Sequence, residues 1–74
     1  MTSATFDPQP GLKLFPSEAL AQTFVRRCLR IRRFNYFVGF RNADPARSYG
    51  VSVGWAAWAG ERPYVKDVFP GIVH

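Results

Sequence analysis

The sequence predicts a two-layer α+β domain: one helix packed on a three-stranded antiparallel sheet, in the order α-β-β-β, with an extended N-terminal arm. Three observations predict it. Residues 17–31 repeat their apolar side chains at helical spacing. From residue 34 onward the period drops to two. The links between the period-two runs are short and rich in turn formers, which favours antiparallel neighbours. At 74 residues the chain is one domain. We divide it into an arm, 1–16, and an α+β domain, 17–74.

The arm carries Pro8, Pro10 and Pro16, which remove backbone donors and disfavour a helix. "QPG" at 9–11 suits a type II turn. "LKLF" at 12–15 suits a short strand on a sheet edge, with Phe6, Leu12, Leu14 and Phe15 anchoring the arm.

"PSEALAQTFVRRCLRIRR" reads as one helix. Ser17 is a good N-cap, and Glu18 sits in the first turn, where the helix dipole favours negative charge. Leu20, Phe24, Cys28 and Ile31 fall on one stripe, with Ala21, Val25 and Leu29 beside it. Arg26, Arg27, Arg30 and Arg33 fall on the opposite side. Arg32 points back toward the stripe, so the helix should end near Ile31 or Arg32.

"RFNYFVGFR" alternates Phe34, Tyr36, Val38 and Phe40 with Asn35, Phe37, Gly39 and Arg41, the pattern of a strand. "NADPAR" at 42–47 is a turn. "SYGVSVGWAAW" alternates Tyr49, Val51, Val53, Trp55 and Ala57 with small residues and Trp58. "AGER" at 59–62 suits a second hairpin turn, and "PYVKDVF" at 63–69 a third strand. In that strand either Tyr64 and Val68 face the helix, or a bulge places Val65 and Phe69 there. "PGIVH" is a tail. The bulky sets of the first two strands are expected to face the helix, with Arg41 opposite Ser48 and Phe37 opposite Ser52, since a one-residue slip turns every side chain over.

The second sheet face would then present Ser, Gly, Ser, Gly and Ala on its middle strand, with Phe37 and Trp58 standing on it and Asn35 and Arg41 alongside. Two arrangements fit. The arm or a second copy covers this face, using the glycines for close approach. Alternatively the face is open, and its aromatics and arginine form a docking surface for bases or for a protein.

Charge separates the function classes. Ten basic residues, eight of them Arg, oppose five acidic ones, for a net charge of +5. Such a field attracts phosphates or acidic protein surfaces, and Arg favours bidentate contact with both. Residues 26–33 hold five arginines and no acid. Like charges at i,i+3 and i,i+4 repel, so the cluster costs the free protein some stability that a partner can offset. Chemistry at a catalytic centre is not indicated. The five acids are scattered, the one histidine is the terminal His74, and "GVSVG" matches no phosphate loop. The single Cys28 lies on the apolar stripe, so it reads as a small buried hydrophobe and leaves no intramolecular disulfide. No cofactor and no metal site is expected.

"FNYFVGFR" at 34–41 loosely echoes RNA-binding motifs of the "RGFGFVxF" kind, without the two-helix βαββαβ order. In layout, a single basic helix with a short antiparallel sheet in 74 residues resembles the small phage-encoded anti-CRISPR proteins. That group shares size and layout and no motif, so no residue role carries over. The resemblance implies a protein that binds a Cas complex and blocks target recruitment. Many such inhibitors are acidic DNA mimics. A basic chain implies contact with acidic protein patches or nucleic acid instead.

The resulting expectation is a non-enzymatic binding protein acting by occlusion. Its contact residues are Arg26, Arg27, Arg30, Arg33, Asn35, Phe37, Arg41 and Trp58. Its partner is an acidic protein surface or a ribonucleoprotein, with nucleic acid as the alternative, and the chain is a monomer or a homodimer. A structural subunit dimerising through the sheet face is a third reading. The opening "MTSATFDPQPG" has neither a basic start nor an apolar run, and no stretch approaches a membrane span, so a cytoplasmic location is expected, in the host if phage-encoded.

Overall fold

The computed structural model describes residues 6–66. Five elements follow in order: β1 (Gly11–Phe15), α1 (Glu18–Ile31), β2 (Tyr36–Arg41), β3 (Tyr49–Gly54) and β4 (Tyr64–Lys66). The α+β layout holds, with one helix on one sheet. The sheet differs from expectation. It has four strands in the order β1-β3-β2-β4 and is mixed.

Local chemistry sets the helix limits. Ser17 is extended, and its hydroxyl accepts the Leu20 amide at 3.2 Å. At the other end Arg32 adopts the left-handed conformation (φ 56°, ψ 40°), and the Arg33 amide returns to the Cys28 carbonyl at 3.0 Å. Ala21, Val25 and Cys28 are fully buried, with Phe24 and Leu29 flanking them. Leu20 and Ile31, expected on the buried stripe, are about half exposed. At about 100° per residue they lie near the edge of an arc centred between Ala21 and Val25.

The edge strand expected in the arm is β1, which pairs antiparallel with β3 from Gly11↔Val53 to Phe15↔Tyr49. The β2–β3 hairpin is closed by a 3-10 turn, Pro45–Arg47. Asp44 caps that turn through the Ala46 amide, and the Asn42 side chain donates to the Arg47 carbonyl.

The β2–β3 register is one residue away from the expected one. Phe37 faces Val53, Gly39 faces Val51 and Arg41 faces Tyr49. Because side chains alternate, that step turns β2 over. Phe37 is therefore in the core under the helix, at 0% exposure, with Val51 and Val53. Tyr36, Val38 and Phe40, expected against the helix, lie on the opposite face, across from Gly54, Ser52 and Gly50. The reason is volume. The expected register sets bulky residues against bulky ones on one face and strips the other. The observed one sets large beside small. The Phe40 ring occupies the space of the missing Gly50 side chain, and a Cβ there would sit 2.2 Å from the ring.

The hairpin expected at 59–62 is also absent. β3 ends at Gly54, and residues 55–63 cross over so that β4 lies beside β2 and parallel to it, Tyr36↔Tyr64 to Val38↔Lys66. Trp55 is consequently outside the sheet and 66% exposed, not in the core. Val65 packs against the core, the side the second expected arrangement gave it, but through regular pairing with Phe37 and not through a bulge. Its proposed extension to Phe69, the tail and His74 lie outside the described residues.

The paired volumes make a testable prediction. Gly50→Val should displace the Phe40 ring and cost about 1–3 kcal/mol, as overpacking does. Phe40→Ala should cost less than a core Phe truncation, and the two changes combined should be less than additive. Urea unfolding of the two single variants and the double variant measures this.

Candidate functional site

Asn35 organises the end of the molecule where the helix stops. It is buried, 7% exposed. Its amide donates to the Gly54 carbonyl, and its carbonyl accepts the Tyr64 amide at 2.9 Å. Its side-chain oxygen accepts the Ala56 amide at 2.8 Å, while its side-chain nitrogen donates to the Ala56 and Gly60 carbonyls at 3.0 and 3.3 Å. The crossover is thus tied at its start, middle and end. Gly60 permits the path, with φ 66° and ψ −143°, a combination nearly confined to glycine. Expected as a contact residue, Asn35 is instead a latch with its hydrogen-bonding groups committed.

The other expected contact residues scatter. Phe37 is sealed in the core and cannot touch a partner. Arg41 is exposed, with its guanidinium 4.3 Å over the Tyr49 ring. By register it lies on the helix side of the sheet, at the end where the helix begins. Trp58 is 65% exposed at the opposite end. It packs edge-on against Tyr64 at 4.7 Å and Tyr36 at 6.0 Å. The envisaged surface of Phe37, Arg41 and Trp58 therefore does not form. The open sheet face holds Tyr36, Val38, Phe40, Leu12 and Leu14 instead, with Lys66 at its margin.

The helix arginines also divide. Arg33, expected to face outward, is half-buried. It pairs with Asp7 at 3.2 Å and donates to the Pro8 carbonyl at 3.1 Å. Arg27 is exposed and stacks 3.9 Å above the Phe6 ring. These two residues fasten the arm along the helix. Arg26 is exposed and donates to Gln22, which in turn donates to Glu18, a relay of i,i+4 contacts. Arg30 is exposed and has no partner among the described residues. Arg26 and Arg30 are one turn apart on the helix face turned from the sheet.

Sequence reasoning missed two residues here. Arg32 adopts a backbone conformation that costs an L-residue about 1–2 kcal/mol, at a position usually given to glycine. Its side chain reaches an open groove of about 690 Å³ between the helix end and the crossover. Leu29, Phe34, Trp55 and Pro63 give the groove apolar walls, and Glu61 supplies its acid. The one available signal was the surplus arginine at the helix end. Trp55 continued a perfect alternation, and nothing local marked the end of the strand.

Comparison with protein-family models, curated proteins and solved structures finds no match. Function must be read from this surface. No helix among the described residues is long and apolar enough to cross a membrane.

Cys28 is the remaining reactive side chain. Burial pushes its thiol up from 9.0 to about 11, against the opposing pull of Arg27, Arg33 and Lys13. A thiol that holds its proton is a poor nucleophile. The folded state binds this proton more tightly than the unfolded chain does. The resulting stabilisation is complete below pH about 9 and is lost as pH rises toward about 11, about 2–3 kcal/mol in all. Native protein at pH 8 should react with a thiol reagent only as fast as it opens, and Cys28→Ala should flatten the alkaline loss of stability.

Proposed function

We propose that this chain is a non-enzymatic binding protein that acts by occlusion, laying its arginine-bearing helix on an anionic surface of a protein or ribonucleoprotein. One observation carries the reading. Arg26 and Arg30 are exposed on the face away from the sheet, in a cluster of five arginines with no acid between them. Packing does not require them, and their mutual repulsion disfavours the free helix. The resemblance in size and in a single basic helix to small anti-CRISPR proteins makes a Cas complex the first partner to test, with the helix covering an acidic patch that nucleic acid or another subunit otherwise meets.

Two alternatives separate on geometry. A nucleic-acid-binding sheet needs cations beside its aromatics. The described open face supports this weakly, having Lys66 while the exposed helix arginines lie on the other side of the molecule. Self-association through the sheet is favoured by the same arrangement. Two copies meeting face to face join apolar surfaces and keep their arginine helices apart.

The double change Arg26→Glu and Arg30→Glu tests the reading. Folding stability should stay within about 0.5 kcal/mol. Affinity for fluorescent poly-glutamate at low salt should fall at least about tenfold, as expected for reversing two contact charges. Unchanged binding contradicts the proposal. Tighter and more salt-dependent binding of single-stranded oligonucleotide than of poly-glutamate moves the assignment to nucleic acid. Self-association that persists in the double variant belongs to the sheet face.

A further inference from the structure

The groove at the helix end identifies the kind of anionic partner. We propose that it seats an apolar side chain of an acidic peptide segment, with Arg32 holding the neighbouring carboxylate. The inference rests on the arginine-face reading and specifies its partner. Three features support it.

The groove joins two chemistries. Leu29, Phe34, Trp55 and Pro63 form apolar walls, and the 66% exposed indole of Trp55 leaves a broad ring available to a guest. The volume, about 690 Å³, is ample for one aromatic or branched side chain with its flanking backbone. Leu29 and Arg32, which line the groove, flank Arg30 in sequence, so the groove lies at the basic end of the helix. An acidic partner seated there is within reach of that positive charge.

The polar groups favour a peptide over a nucleotide. Asn35, beneath the groove, has committed its side-chain oxygen and nitrogen to Ala56 and Gly60. A base seated there would find no free amide on Asn35 and only Arg32 and Glu61 among the charged lining residues to meet its edge. Glu61 in the groove lining offers an acceptor to peptide amides. Neither Arg32 nor Glu61 has a side-chain partner among the described residues, so both are available to a guest.

The backbone of Arg32 supplies the third feature. Glycine would close this helix without strain. Arginine keeps the strained conformation and adds like charge beside Arg30 and Arg33, so it weakens the free protein while placing a basic residue in the groove lining.

The test uses the full chain carrying Trp58→Phe, which leaves Trp55 as the sole tryptophan. The probes are a capped peptide Glu-Asp-Phe-Asp-Glu, the same peptide with Ala for Phe, and a short oligothymidylate. The Phe peptide should change Trp55 fluorescence saturably. The Ala peptide should bind at least about fivefold more weakly, the difference one buried side chain makes. Arg32→Gly should raise the urea midpoint of unfolding and weaken the Phe peptide at least about fivefold, the loss of one charge-assisted contact. A variant that is both more stable and a poorer binder cannot be explained by misfolding. Equal binding of the Phe and Ala peptides, no response of Trp55, or full binding by Arg32→Gly overturns the inference. In each of those cases poly-glutamate binding that still depends on Arg26 and Arg30 leaves the arginine-face reading standing. Oligothymidylate saturating Trp55 more tightly than the Phe peptide overturns it in favour of nucleic acid.

Discussion

One buried asparagine fixes the end of the molecule on which the functional reading depends. Asn35 follows the helix exit, pairs with the last residue of β3 and receives the first residue of β4. Its side chain meanwhile satisfies Ala56 and Gly60 in the intervening crossover. Without that latch, nine residues would link β3 to β4 with no strand pairing, and their backbone polar groups would compete for water. With it, the crossover is held beside the helix terminus, and the short β4 can lie parallel to β2. β3 runs antiparallel to β2 and β4 parallel to it, so the end of β3 and the start of β4 lie at the same end of the sheet. The link need only pass over the start of β2, where Asn35 holds it.

From this constraint the surface follows. The crossover carries Trp55 out of the sheet and into the lining of the groove that Arg32 also borders. It also lays Trp58 against Tyr36 and Tyr64, which caps one end of the open sheet face. The arm, fastened by Arg33 to Asp7 and by Arg27 over Phe6, leaves Arg26 and Arg30 as the least committed cations on the helix. The molecule thus has a basic side and an apolar, aromatic side, with the groove between them. A partner that is acidic and carries apolar anchors matches that division better than a uniform polyanion does.

The helix was legible because its signals are local. Ser17 caps, Glu18 suits the dipole, and the stripe through Ala21, Val25 and Cys28 repeats at the right interval. The edge strand in the arm and the turn at 42–47 were legible for the same reason. The facing of β2 was not. Both of its alternating sets contain large aromatics, Phe37 on one and Tyr36 and Phe40 on the other, so periodicity fixes a strand without fixing its core side. The choice is made across the sheet, by Gly50, Ser52 and Gly54 accepting the bulk of β2. That is a pairwise volume constraint no single segment displays. The parallel β4 was hidden similarly. Short links usually mean hairpins, and only the buried hydrogen bonds of Asn35 override that rule. Among the contact residues, Arg26, Arg27, Arg30, Arg41 and Trp58 are exposed, although Arg41 lies on the helix side of the sheet and not beside Trp58. Phe37 and Asn35 changed sides with their strand and became core and latch.

Amide hydrogen exchange at the latch tests this account most directly. The amides of Ala56 and Tyr64, which donate to the Asn35 side chain and carbonyl, should exchange as slowly as amides within the β2–β3 pairing, because opening them requires breaking the sheet end. Exchange of both at the rate of an open loop, with the β2–β3 amides still protected, would mean that the crossover is not fastened there. The groove and the parallel strand would then lose their physical basis.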